Sequence, residues 1–146
     1  MQVKELSTSD EMILFHHIIS ELYPKMTVKE YEAKLIKMIP HNYKQVAVFN
    51  DKNECLGVSG FWIGNKLWCG KYMELDNIII KKENRASGVG SFLFKYLKEK
   101  AQKLECNIIT LDSYSTNFKA HRFFYNKDFS PKGFHFVKIL NKKSIR

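Results

Sequence analysis

The stretch Ile78–Gly90 reads Ile-Ile-Ile-Lys-Lys-Glu-Asn-Arg-Ala-Ser-Gly-Val-Gly, and its period changes midway. Ile78, Ile79 and Ile80 form a β-branched run that suits a buried strand, whereas Val89, Phe92, Leu93, Tyr96, Leu97, Ala101 and Leu104 recur at helical spacing. A strand therefore runs through a basic turn into a helix over Gly88–Leu104. The first amides of a helix lack intrahelical acceptors and its dipole favours negative charge, so backbone alone can hold a phosphate there. Gly88 and Gly90 have no Cβ to block an approach, and Arg85 adds a forked, permanently charged donor. The turn reads as a cradle for a diphosphate. A Gly-x-Gly after a strand also suits a plain tight turn, and these residues alone do not choose between the two.

Spacing excludes two familiar phosphate loops. Leu93 stands where a dinucleotide-binding Gly-x-Gly-x-x-Gly needs its third glycine, and no Gly-Lys-Ser/Thr follows to make a Walker loop. What remains is Arg85-Ala86-Ser87-Gly88-Val89-Gly90 behind an aliphatic strand. This segment resembles the acyl-CoA pyrophosphate loop of the GNAT N-acetyltransferase superfamily. The resemblance implies acetyl-CoA as the bound group, with Arg85, Ala86, Ser87, Gly88, Val89, Gly90 and Ser91 around its diphosphate.

The remaining elements can be taken in order. Gln2–Leu6 reads as a strand, and Thr8-Ser9-Asp10-Glu11 as a capping box opening a helix that ends near Tyr23-Pro24. Thr27-Val28-Lys29-Glu30 is a second capping box, and Pro40 stops the helix it begins. Gln45–Phe49 and Leu56–Ile63 are expected to pair across Asn50–Asn53, with Gly64-Asn65 turning the chain into strand Trp68–Ile80. Beyond the long helix come strand Asn107–Asp112, helix Asn117–Asn126, turn Ser130–Gly133 and strand Phe134–Leu140. The order βααβββαβαβ agrees with the GNAT fold, an α/β architecture with a mixed, largely antiparallel central sheet flanked by helices on both faces.

Chain length and a hydrophobic content of 45% fit one domain over residues 1–146, without a linker or repeat. No apolar run approaches the ~20 residues of a membrane span, and Met1–Glu5 has no signal-peptide core, so a soluble cytoplasmic protein is expected. Cys55, Cys69 and Cys106 form no Cys-x-x-Cys and are read as buried thiols rather than nucleophiles. The histidines lack ligand spacing, and no metal is expected. The net charge of +9 attracts anions of every kind, but the lysines are scattered, with Lys95, Lys98, Lys100 and Lys103 mostly on the outer face of the long helix. Nucleic-acid binding is the least favoured reading on this footing. Charge weakly favours acidic or neutral acceptors over polycations.

A second resemblance lies downstream. Asn117-Phe118-Lys119-Ala120-His121-Arg122-Phe123-Phe124-Tyr125-Asn126-Lys127-Asp128-Phe129 is similar to the family's Asn-x-x-Ala-x-x-Phe-Tyr-x-x-x-Gly-Phe segment. The family tyrosine falls on Phe124, Tyr125 follows one residue late, and Asp128 replaces the glycine. By resemblance, Asn117 and Tyr125 contact the coenzyme, Tyr125 protonates the departing thiolate, and Ile78, Ile79 and Ile80 bond the pantetheine amides as an added strand would. Strand Trp68–Ile80 is then expected to splay from Asn107–Asp112. Amine attack needs a neutral nitrogen, which a base near the acceptor supplies. The resemblance implies an acid on the central strand, Asp76 first and Glu74 second. With alternation intact, Glu74, Asp76, Ile78 and Ile80 share one face, an order that a bulge would change. An amide near Ile79 or Ile80 is expected to stabilise the oxyanion.

The function implied is acetyl transfer from acetyl-CoA to a primary amine by direct attack in a ternary complex, the acceptor being a small molecule or a peptide. Tyr23–Met26 and Ser130–Gly133 would build its pocket. A GNAT-like module that binds acyl-CoA without turnover is the alternative, prompted by the displaced tyrosine. A homodimer through exposed strands or helices fits the family habit.

Overall fold

Two capping boxes set the start of the chain. In the computed structural model of the protein, which describes residues 1–142 and 145, Thr8 Oγ1 accepts from the Glu11 amide while Glu11 Oε2 accepts from the Thr8 amide. Thr27 and Glu30 repeat the exchange. These caps open helices α1 (Ser9–Ile13) and α3 (Val28–Met38), and between them lies α2 (His16–Ile19). The single first helix expected from the sequence is thus two short ones. The break falls where Phe15 meets Phe49 edge-on at 5.8 Å and where His16 Nε2 donates 2.7 Å to the Met26 carbonyl. Tertiary contacts outweigh helical continuity over so short a run. Pro40 ends α3 through a 3₁₀ turn, Ile39–His41, and Asn42 reverses the chain at φ 68°.

The chain falls into two compact units, Met1–Leu111 and Asp112–Arg146; the last includes Lys143, Ser144 and Arg146, which lie outside the described residues. The first unit holds a five-stranded sheet in chain order: β1 (Gln2–Leu6), β2 (Tyr43–Phe49), β3 (Cys55–Lys66), β4 (Gly70–Ile80) and β5 (Ile108–Leu111). Three pairings are antiparallel and the fourth, β4 with β5, is parallel. Helix α4 (Val89–Lys103) supplies the crossover between these last two. The expected mixed, largely antiparallel sheet is the one observed.

Alternation assigns the faces. Leu6, Tyr43, Ala47, Phe49, Val58 and Ile79 form one core with Met12, Ile18, Ile19, Tyr31 and Leu35 of the first three helices. Val46, Val48, Phe61, Met73 and Leu75 are buried on the other face, which α4 covers with Val89, Leu93, Phe94, Leu97 and Ala101. Burying each of the larger side chains contributes about 1.5–3 kcal/mol. Lys100 is not the free surface lysine its spacing suggests: its Nζ and the Tyr96 hydroxyl each donate 2.6 Å to Glu5 on β1. This pair of donors clamps α4 to the sheet edge.

Three expectations are corrected. Gly64-Asn65 does not turn the chain; β3 runs on to Lys66, and residues 67–69 make the reversal. Gly64 is there because its cross-strand partner Tyr72 lies over it: a Cβ at Gly64 would meet the Tyr72 ring at 2.8 Å. Secondly, the alternation of β4 breaks. Ladder partners step from Gly60↔Asp76 to Val58↔Ile79, so the one residue Ser59 on β3 opposes two, Asn77 and Ile78, on β4, a bulge at Asn77 with φ 52°. Ile79, not Ile78 or Ile80, therefore shares the face of Glu74 and Asp76.

The third correction lies in the second unit, where helix α5 (Phe118–Tyr125) is capped by Asn117, whose Oδ1 accepts from the Ala120 amide at 3.3 Å. Residues 131–139 form neither strand nor helix, so the closing strand Phe134–Leu140 is absent. Phe134 and Phe136 are each 89% exposed. A strand persists only within a ladder that satisfies its amides, and no described ladder includes this segment.

Candidate functional site

The parallel ladder between β4 and β5 runs only from Tyr72↔Ile108 to Leu75↔Leu111. β4 continues to Ile80, so Asp76–Ile80 keep β3 as their one ladder partner and expose a strand edge. The ladder stops because β5 itself ends at Leu111, so the two strands part by the shortness of β5 and not by the splay expected over Asn107–Asp112. The Ile79 carbonyl faces β3, since a Cβ at Gly57 would lie 2.6 Å from it. The Ile80 carbonyl instead accepts from Arg85 Nε at 2.9 Å.

From Ile80 the chain crosses a 3₁₀ turn, Lys82–Asn84, and then residues 85–88. Ala86 at φ 62° and Gly88 at φ 88° are both left-handed, a conformation in which successive amides can line a concave anion site. Gly88 is the N-cap of α4 without a side-chain cap, and a Cβ there would meet nothing within 4 Å. No side-chain cap therefore holds the first amides of this 15-residue helix, and Ser87 and Ser91 on either side of its start are exposed. Val89 is buried and anchors the helix start, while Ser87 Oγ donates 2.6 Å to the Asn84 carbonyl and holds the turn. Arg85 also donates 2.8 Å to Glu21, whose other oxygen accepts from the Lys82 amide at 3.4 Å. These features suit a phosphate-bearing ligand: amides, a cation and room.

Upstream on β4, Asp76 is half-buried and accepts from the Trp62 indole at 3.3 Å. Glu74 pairs with Lys66 Nζ at 3.9 Å. The two acids share a face with Trp62 and Tyr43, whose rings lie 4.8 Å apart. Beneath them the buried Gln45 amide donates to the Tyr31 hydroxyl at 2.6 Å and to the Tyr43 hydroxyl at 2.9 Å. Burial pushes the Tyr31 phenol up to about 12 and raises that of Tyr43 as well. Both stay protonated at physiological pH.

Asn77, Trp62, Gln45 and Glu21 are residues of this region that the sequence does not single out. Tyr23, from the loop after α2, donates to Asn77 Oδ1 at the bulge. Asn tolerates the left-handed region better than any residue but glycine. An Asn placed between Leu75-Asp76 and Ile78-Ile79-Ile80 was the available signal. Trp62, Gln45 and Glu21 carry no comparable mark.

In the second unit Asn117 serves as the cap already described, and Tyr125 is 58% exposed at the end of α5. His121 Nε2 donates 2.9 Å to the Tyr114 carbonyl, fixing the loop before the helix. Burial raises the thiol pKa of Cys55 and Cys106, which disfavours a thiolate nucleophile at either. Among the described residues no three His, Cys, Asp or Glu side chains converge, and no helix is long and apolar enough to cross a membrane.

Comparison with solved structures places the fold. Glucosamine-6-phosphate N-acetyltransferase from Arabidopsis thaliana is similar at 16% identity and TM-score 0.73, over 96% of this chain and 98% of that one. An acetyltransferase from Trypanosoma brucei is similar at 17% identity and TM-score 0.74, over 95% and 99%. Ribosomal-protein-alanine N-acetyltransferase from Brucella melitensis biovar Abortus 2308 is similar at 13% identity and TM-score 0.80, over 96% and 100%. No curated protein matches by sequence. The family model for the acetyltransferase (GNAT) family matches residues 12–129, from α1 through the turn and α4 to the end of the Asn117 segment. With β4 running on past the end of β5, α4 opening without a side-chain cap and this match over residues 12–129, the chain belongs to the acetyltransferase (GNAT) family.

Proposed function

We propose that this chain is an acetyl-CoA-dependent N-acetyltransferase, a single domain over residues 1–146 that acts on a primary amine by direct attack in a ternary complex. The observation that carries this reading is the run of β4 past Leu75, its last residue paired with β5, directly into a turn that opens α4 without a side-chain cap. Both features suit one extended ligand. The strand edge at Ile78 and Ile80 offers backbone partners to a pantetheine arm, Ile79 between them turning its carbonyl to β3, and the turn from Arg85 to Ser91 offers donors to a diphosphate. When bound, the thioester supplies an acetyl carbon that joins the amine nitrogen as its bond to sulfur breaks.

The protein's own part is proton handling and placement. Asp76, oriented by the Trp62 indole, takes the amine proton directly or through water, with Glu74 as the second carboxylate on that face. Of the two amides expected for the acyl oxygen, that of Ile80 lies on the free edge and steadies the charge that develops there, while that of Ile79 follows its carbonyl toward β3. Asn117 and Tyr125 complete the coenzyme contacts in this proposal, and Tyr125 returns a proton to the thiolate. The acceptor is a small-molecule or peptide amine, and a homodimer remains compatible with the exposed surface. The test is thiol release from acetyl-CoA against a panel of small amines, amino acids, aminoglycosides and peptide N-termini. Turnover with at least one amine, lost in Gly90→Trp, is the expected result. Saturable acetyl-CoA binding without turnover on any amine would instead make the chain a binding module.

A further inference from the structure

A shallow, open depression of about 490 Å³ lies on the sheet around Glu74, lined by His41, Trp62, Gly64, Tyr72 and Glu74 among others. Its floor follows from one glycine. Tyr72 opposes Gly64 in the β3–β4 register, and a Cβ at Gly64 would stand 2.7 Å from the Tyr72 hydroxyl and 2.8 Å from its ring. The phenol therefore lies down across the glycine and offers its face rather than its edge. Above that face sits Lys66 Nζ, 4.4 Å from the ring centroid and 3.9 Å from Glu74 Oε2. An aromatic face beside a carboxylate is the pairing that binds alkylammonium ions. Here the protein's own lysine fills it.

From this geometry we infer that the depression is a subsite for an alkylammonium group, and that the acceptor is a linear aliphatic amine carrying a second, protonated amine. The inference rests on the acetyltransferase reading and narrows its substrate. One ammonium displaces Lys66 from Tyr72 and Glu74, while the other amine reaches Asp76, about 13 Å along the strand at its rise of about 3.3 Å per residue. Tyr72, Glu74 and Asp76 lie on one face, so a straight chain follows β4 without turning. Lys66 then acts as an internal competitor that a dication outbids by holding both ends. The protein's net charge of +9 would oppose a polycation at long range, but a local anion and ring face act within a few ångströms.

Calorimetric titration with spermidine and with n-hexylamine, without acetyl-CoA, tests this at low salt. Spermidine is expected to bind about tenfold more tightly than hexylamine, the scale of a cation–π contact joined to a carboxylate. Lys66→Met should tighten spermidine binding about threefold or more, because the incumbent cation is gone. Lys71→Met, which removes the same charge on the opposite face of the hairpin, should change it less than about twofold. Tyr72→Leu should weaken it; if that variant does not fold, the exposed Lys66→Met decides. Equal binding of the two amines, or no response to Lys66→Met, overturns the inference. Acetyl-CoA binding is measured separately, so loss of that binding with spermidine binding intact would sink the enzyme reading alone.

Discussion

Arg85 and Glu21, 64 residues apart, are joined by a 2.8 Å bond that holds the one guanidinium of the α4 turn against the loop after α2. The same Arg85 covers the Ile80 carbonyl, a group on the free edge of β4. Glu21 thus competes for the cation that a diphosphate would use. Exposed pairs of this kind contribute about 0.2–1 kcal/mol, so Glu21→Gln should tighten coenzyme A binding by about 1.4- to 5-fold. Melting temperature should hardly move. Calorimetry on the two proteins measures both.

Asp76 is the carboxylate most closely tied to the bulge. Asp76→Asn keeps an oxygen for the Trp62 indole but removes the base, and kcat at neutral pH should fall about 10²- to 10⁴-fold. The loss should shrink as pH rises toward the amine's own value near 10.4, where free amine no longer needs deprotonation. Trp62→Phe should cost less, since it only releases the carboxylate. Initial-rate measurements across pH separate the two effects.

Gly60 makes the space in which Tyr43 stands beside Gln45. A Cβ would come within 2.7 Å of the ring, and Tyr43 is only 1% exposed and cannot retreat. Gly60→Ala should therefore cost about 1–3 kcal/mol and lower the melting temperature by roughly 2–12 °C. A thermal melt reads the effect.

The Glu5 carboxylate is held below its ordinary value of 4.5, first by the hydrogen bond from Lys100 and then by that from Tyr96. A depressed carboxylate contributes stability that is complete above its unfolded value and is lost as pH falls through the folded one. Glu5→Gln should leave a melting curve less dependent on pH below about 4.5 than the parent's, because that linkage is gone. Melts between pH 3 and pH 7 compare them, the range being about that of carboxylate titration.

Much of this was legible because the signals are local. Thr8 with Glu11 and Thr27 with Glu30 specify helix starts within four residues, and the change of period across Ile78–Gly90 marks a strand and a helix without tertiary help. Asn117 likewise announces a cap. What escaped notice depends on residues far apart in sequence. Gly64 resembled a turn because a turn glycine and a glycine under a tyrosine ring look alike until Tyr72 is placed opposite. The Asn77 bulge redirected Ile79, and no periodic count includes the extra residue. Phe134–Leu140 has the composition of a strand, but a ladder needs a partner that composition does not name.

In the proposed complex the opening amides of α4, with Arg85 and the free edge of β4, hold acetyl-CoA. Amide-resolved NMR during titration with acetyl-CoA tests it most directly. Saturable shifts concentrated on Arg85–Ser91 and Ile78–Ile80, with half-saturation well below about 1 mM, are predicted. No saturable shift at those amides up to about 1 mM, or shifts confined to other parts of the chain, would contradict the account.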